Sequence, residues 1–273
     1  MRNFIREKKI YCGENYLEVD IYPLCEFQLE KKKNKRSKKE KVSITAQKNL
    51  NDKNARRKFI QVAETNFTEK DLSVTLTYDE ENLPSSIEEA EREVQNYIKR
   101  IKRRRKKEGL EDLKYMLVTS SREIIENGEE KPVRIHHHIL MNGGLDRDIV
   151  EDLWRRRKRK GEKAGKKIGY ANADRIQPNS NTGIVALCTY LVGNPTQKRR
   201  WTCSQNLTRP TQRTNDYKYS RKRVIQYATH NPDFSIWEKL YPGYYIADKD
   251  NGYEPVYNDY TGWSIYLKLR KRT

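Results

Sequence analysis

Four histidines occur in the chain, and three of them are consecutive, in RIHHHIL at residues 134–140. On a strand, successive side chains point to opposite faces. His136 and His138 then share a face, while His137 points the other way with Ile135, Ile139 and Met141. Two imidazoles two residues apart on one strand can reach a single cation, and the middle one cannot join them. A divalent ion such as Mn²⁺ or Mg²⁺ would take a carboxylate or amide from a neighbouring strand to complete the set. The same pair also reads as two ordinary surface or hydrogen-bonded histidines. A six-histidine tag is excluded, since only three are present and they lie mid-chain.

A second candidate is Tyr190, in NTGIVALCTYLVG at residues 181–193. This stretch predicts a helix with Ile184, Leu187, Cys188 and Leu191 on one face. At about 100° per residue, Tyr190 falls about 110° from the centre of that face. It reads either as a boundary tyrosine or as a side chain projecting toward a site on a sheet. A tyrosine oxygen attacking phosphorus is nucleophilic catalysis through a covalent intermediate, and a metal ion would polarise and orient the phosphoryl group. A third candidate is KRRWTCS, residues 198–204. Lys198, Arg199 and Arg200 can pair with phosphates, and Trp201 offers a stacking face for an unpaired base. The alternative is a loop whose tryptophan packs on the core.

These residues need a scaffold. KIYCGENYLEVDIY, residues 9–22, alternates at Leu17, Val19 and Ile21 and predicts one or two strands around a Gly-Glu-Asn turn. EKKKNKRSKKEKV, residues 30–42, is a like-charge block, read as disordered or as a nucleic-acid-binding arm. DLSVTLTY, residues 71–78, sets Leu72, Val74, Leu76 and Tyr78 against Ser73, Thr75 and Thr77, a half-buried strand. Ser86 and Glu89 form a capping box ahead of an amphipathic helix to about residue 106. Its last turns, KRIKRRRKK, suit the negative end of the helix dipole and are candidate phosphate contacts.

Strands at 114–119 and 133–141 predict a hairpin with a long loop, IENGEEKP, between them. Asp146 then caps a helix carrying Ile149, Val150, Leu153 and Trp154. A basic loop at 155–167, a strand within 168–176 and a final strand-like WSIYLKL complete the reading. The alternation of strands and helices predicts an α+β fold, a sheet with helices packed on it. The expected domains are N-terminal strands at 1–29, a basic and partly disordered linker at 30–66, a catalytic domain at 67–210 and a C-terminal extension at 211–273.

Composition narrows the partners. The 273 residues carry 57 Lys and Arg against 38 Asp and Glu, a formal charge of +19. That excess points to a polyanion, nucleic acid ahead of an anionic membrane, because no basic run adjoins a spanning segment. Four scattered cysteines, Cys12, Cys25, Cys188 and Cys203, form no CxxC pair, which argues against a zinc ribbon and for a reducing cytoplasm. No apolar run approaches membrane-spanning length and the N-terminus lacks a signal-peptide core.

Several stretches resemble one family. They are KIYCGENYLEVDIY, QKNLNDKNARRKFI, NFTEKDLSVTLTYDEENLP, HHHILMNGGLDRDIVEDLW and KRRWTCSQNLTRP, spanning about residues 8–210. Together with the helical tyrosine they resemble HUH endonucleases, and more narrowly the phage-type rolling-circle replication-associated (Rep) proteins. The resemblance implies a five-stranded antiparallel sheet with a central histidine strand and flanking helices, ferredoxin-like or RRM-like. It implies His136 and His138 as ligands of a divalent metal, Mn²⁺ or Mg²⁺. Thr75, Thr77 and Tyr78 fall on the strand of the family's first motif.

Tyr190 matches the nucleophile that takes a 5′ phosphate and frees a 3′ hydroxyl. The implied partner is single-stranded DNA at a replication origin of a phage, plasmid or mobile element, in a bacterial cytoplasm. A host helicase is a candidate partner, as the chain has no GxxxxGK[ST] loop. Two positions depart from the family. Gly193 stands where it usually has a lysine three residues after the tyrosine. Ser120 stands where it tends to have a glutamate, with Glu123 close by. A DNA-binding protein with a degenerate centre, and a relaxase or transposase of the same superfamily, are the rival expectations.

Overall fold

The computed structural model describes residues 3–27, 45–126, 129–158, 160–193, 200–230 and 233–272, giving only the backbone path over 45–47 and 122–134. Its strands are β1 (Asn3–Cys12), β2 (Tyr16–Cys25), β3 (Leu72–Leu76), β4 (Tyr115–Glu126), β5 (Glu129–Met141), β6 (Ala171–Arg175), β7 (Thr202–Cys203), β8 (Thr211–Asn215), β9 (Tyr244–Tyr245), β10 (Tyr253–Asn258) and β11 (Gly262–Lys271). The helices are α1 (Thr45–Asn66), α2 (Ile87–Lys107), α3 (Arg147–Asp152), α4 (Val185–Leu191), α5 (Arg221–Thr229) and α6 (Ser235–Leu240). Contacts divide the chain into two units. One comprises residues 1–49, 180–183 and 209–273, and the other residues 50–179 and 184–208.

In the first unit an antiparallel sheet runs β10-β11-β2-β1-β8, with β9 added to β11. Alternation in LEVDIY aims Leu17, Val19 and Ile21 at one side, where they meet Ile265, Leu267 and Leu269 of β11, Val224 of α5 and Trp237 of α6. Gly13 supplies the positive φ (66°) that the tight β1–β2 connection requires. Glu7 is buried and fully engaged, accepting from Lys218 Nζ and Tyr241 Oη, each at 2.7 Å. The N-terminal strands and the C-terminal residues therefore share one sheet. A lone β-hairpin is marginal in water, and β8 and β11 complete it on both sides.

In the second unit the order is β6-β3-β5-β4-β7, five antiparallel strands with the histidine strand in the centre. The mixed α+β architecture with a five-stranded antiparallel sheet is as expected, and the second sheet is an addition to it. One face carries Leu72, Val74, Leu117, Ile139 and Met141 and packs on Val94, Tyr97, Ile98 and Ile101 of α2, with Val150 and Trp154. The other face carries Met116, Val118 and Leu140. It is covered by Phe59, Val62 and Ala63 of α1 and by Cys188 and Leu191 of α4. Residues 45–66, expected within a basic linker, are thus a helix, whose apolar positions at helical spacing bury against the sheet. Residues 30–44 lie outside the described residues.

Local details also differ from the sequence reading. Ser86 Oγ accepts from Glu89 N as expected, but the Glu89 carboxylate accepts from Ser85 N and Ser85 Oγ, so the box closes one residue upstream. Both hairpin strands continue into the expected loop, because Arg122–Glu126 pair with Glu129–Val133 beyond a register shift that follows Ser120. Asp146 caps α3 by accepting from Asp148 N, and the helix ends at Asp152. Trp154 leaves the helix and donates its indole N–H to Thr77 O at 2.8 Å.

Candidate functional site

The three histidines have different surroundings. His137 is fully buried between Tyr78 Oη, 2.8 Å from its Nε2, and Thr119 Oγ1, 2.7 Å from its Nδ1. Burial pushes its pKa down to about 3. The ring is neutral, with one nitrogen donating and the other accepting. Burial likewise raises the Tyr78 phenol well above its ordinary value, so Tyr78 stays protonated in the core.

His136 and His138 share the opposite face, their ring centroids 4.9 Å apart. Thr75 faces His138 across β3 and places Oγ1 3.2 Å from its Nδ1. Engaging Nδ1 fixes the ring and turns Nε2 toward another partner, the arrangement that orients imidazole ligands in metal sites. Burial, reinforced by His136, lowers the His138 pKa to about 4, so the ring is neutral and its lone pair is open to a cation. Tyr190 approaches from α4. That helix buries Cys188 and Leu191, which leaves Tyr190 74% exposed with its ring 5.8 Å from that of His138. Its hydroxyl has no hydrogen-bond partner among the described residues.

Two imidazoles on a rigid strand fit part of a divalent cation's shell. Among the described residues no third His, Cys, Asp or Glu joins them. Ser120 faces His136 across β4 and is buried. The register shift follows directly after it. Glu123, the alternative carboxylate, pairs with Pro132 through the backbone, and its side chain lies outside the described residues.

Lys198 and Arg199 also lie outside the described residues. Arg200 forms an ion pair with Asp52. Trp201 donates its indole N–H to Ala55 O at 3.0 Å and packs edge-on against Phe59, 5.7 Å between centroids. Of the two readings of KRRWTCS, the packed tryptophan matches the geometry at Trp201, and Arg200 is engaged on α1. Local sequence does not separate these uses, because α1 is itself hidden from a local reading.

Two further residues escape the sequence reading. Arg56 of α1 donates to Gly193 O at 2.7 Å, bringing a guanidinium to the segment just after Tyr190, at the position where the resemblance expects a lysine. Tyr170 sits one step beyond β6, its carbonyl accepting from Thr77 N at 2.8 Å. Continuing the ladder sets Tyr170 in one row with Thr77 and His136, on the face of the histidine pair, and it is 67% exposed. Gly169 fixes this crossing, since a Cβ there would lie 2.3 Å from Thr77 O. The Gly-Tyr pair is the one signal in the sequence that marks it.

A five-stranded antiparallel sheet with paired histidines on its central strand, and a tyrosine brought against them by a helix, places the second unit in the HUH-like α+β class. Residues 71–192, which hold both histidines and the tyrosine, match the family described as Replication-associated protein ORF2. Over that stretch the chain is a replication-associated, Rep-type protein, and its role is in replication. No curated protein and no solved structure gives a significant match. No helix among the described residues is long and apolar enough to cross a membrane.

Proposed function

We infer that the chain nicks single-stranded DNA at a replication origin and transfers the cut strand through a 5′-phosphotyrosine at Tyr190, starting rolling-circle replication of a phage, plasmid or mobile element. The observation that carries this reading is the Tyr190 ring against His138, beside the only two histidines that share a face of the central strand. A divalent ion, Mn²⁺ or Mg²⁺, held by His136 and His138 would supply Lewis-acid polarisation of the scissile phosphate. Tyr190 Oη attacks phosphorus and its proton passes to solvent. The Tyr–O–P bond forms as the bond to the 3′ oxygen breaks, and that oxygen leaves as a 3′ hydroxyl. Attack by a 3′ hydroxyl on the phosphotyrosine reverses these steps and joins strands. The exposed Tyr170 ring on the same face supplies a surface on which an unpaired base can stack. Unwinding falls to a separate enzyme, for which a host helicase is the fitting partner.

The test is a denaturing gel of labelled origin oligonucleotide with protein and Mn²⁺. A covalent protein–DNA band that disappears with EDTA and returns with added Mn²⁺ is expected. Salt-sensitive DNA binding without any such band would instead favour a degenerate, DNA-binding replication or regulatory protein, the reading that Ser120 and Gly193 motivate. Relaxase or transposase activity would appear as a preference for transfer substrates over origin DNA.

Arg56 is the cation we assign in place of a lysine at position 193. Arg56→Ala is expected to slow cleavage on the order of 100-fold, the scale of one lost electrostatic donor, and Arg56→Lys to restore part of it. Equal single-turnover rates for wild type and Arg56→Ala would remove Arg56 from the mechanism.

A further inference from the structure

The last turns of α2 form one wall of a cleft that the histidine site does not use. The cleft encloses about 590 Å³ and is lined by Lys102, Arg103 and Lys106, with Tyr115, Leu113 and the turn after β7, Ser204–Asn206. Tyr115 pairs with Met141 on the α2-packed side of the sheet, whereas His136 and His138 face the other side. The two sites are therefore separated by the sheet itself.

The charges of this cleft are uncompensated. Lys102, Arg103 and Lys106 are exposed, and none has a carboxylate partner among the described residues. Asp112 is the one acid in the lining. Like charges one helical turn apart repel, and nothing among the described residues offsets them. Arg105 has another task. It is buried, and its guanidinium donates to the carbonyls of Glu111, Asn142 and Gly143, which fixes the wall on the sheet. The floor is also built. Ser204 Oγ accepts from Tyr115 N at 3.0 Å, Ser204 N donates to Tyr115 O at 3.0 Å, and Lys102 Nζ sits 5.8 Å from the Tyr115 ring centre.

Lys99 is exposed one turn further along α2. With Lys102, Arg103 and Lys106 it makes a track at i, i+3, i+4 and i+7, about 10 Å long at 1.5 Å per residue. A single phosphate needs one such point, whereas a track of this length suits a polymer of phosphates.

We propose that this cleft binds the sugar-phosphate backbone of a nucleic acid, as a second site on the face of the sheet away from the histidine pair. It lets one molecule hold a flanking segment of DNA while the other face engages the strand to be cut. The proposal does not depend on nicking.

The test is fluorescence anisotropy with the full chain, labelled duplex and labelled single strand, in metal-free buffer across about 50–200 mM salt, the range over which phosphate contacts weaken most visibly. The variant is Lys102→Gln with Arg103→Gln and Lys106→Gln. The comparison variant carries Arg221→Gln, Lys222→Gln and Arg223→Gln on exposed positions of α5, with the same change in net charge. Three lost contacts are expected to reduce the slope of log K against log[salt] by about 2.7 on duplex or about 2 on single strand. The comparison variant is expected to change the slope by less than one. Circular dichroism verifies that both variants are folded. An unchanged slope in the cleft variant overturns the proposal. So does an equal loss in both variants, which would assign the binding to net charge alone.

Discussion

Tyr190→Phe is expected to abolish the covalent protein–DNA band and to lower strand cleavage on the order of 10⁴-fold or more, the scale on which removal of a nucleophile acts. Phenylalanine keeps the ring that meets His138 at 5.8 Å and loses only the oxygen. That oxygen has no hydrogen-bond partner among the described residues, and the side chain is 74% exposed. Stability should therefore move by no more than about 0.5 kcal/mol, as for surface changes that disturb no partner. Affinity for uncleaved single-stranded DNA should be retained. The variant thus separates chemistry from binding. Cleavage and adduct at the wild-type level would transfer the nucleophile to another residue, with Tyr170 the first to test.

The second large effect lies one residue from the proposed ligands and in the opposite property. His137→Phe fills a similar volume but removes both ring nitrogens from the core. Thr119 Oγ1 then loses its 2.7 Å bond, and Tyr78 Oη keeps only a 3.4 Å contact with Ala90 O. A buried polar group left without its partner costs about 1–3 kcal/mol, so the pair should cost about 2–5 kcal/mol. At about 2–4 °C per kcal/mol for a domain of this size, Tm should fall on the order of 10 °C. His136→Ala, at a half-buried position, should leave Tm nearly unchanged while removing Mn²⁺-dependent cleavage. Denaturation of the three proteins decides this, and an unaltered midpoint for His137→Phe would remove His137 from the core network.

What the sequence disclosed follows the range of the interactions involved. Alternation in LSVTL and IHHHILM is local, and it assigns Thr75, His136 and His138 to one face and His137 to the other before any pairing is known. The α+β class follows from the order of such segments. Helix α1 is concealed because Phe59, Val62 and Ala63 stand among many charges, and only the sheet gives that narrow stripe something to cover. The pairing of β2 with β11 joins Ile21 to Ile265, and nothing local to either signals the other. At the site, the departure at Gly193 is visible, but Arg56 comes from an element that reads as a linker. Trp201 shows the same limit. Its sequence suits stacking on a base or on Phe59, and only tertiary structure supplies the second ring.

The pairing of β2 with β11 also sets an order of events during synthesis. All five strands of the histidine sheet lie between residues 72 and 203, so that sheet can close while the ribosome is still translating the rest. The first strands to emerge, β1 and β2, must wait for β8 and β11 before their edges are covered. Pairings of such high sequence separation are slow to form, and waiting edges are prone to wrong partners. The alternating Leu17, Val19 and Ile21 of a nascent chain are thus the segment most in need of a chaperone, although they lie far in sequence from the chemistry.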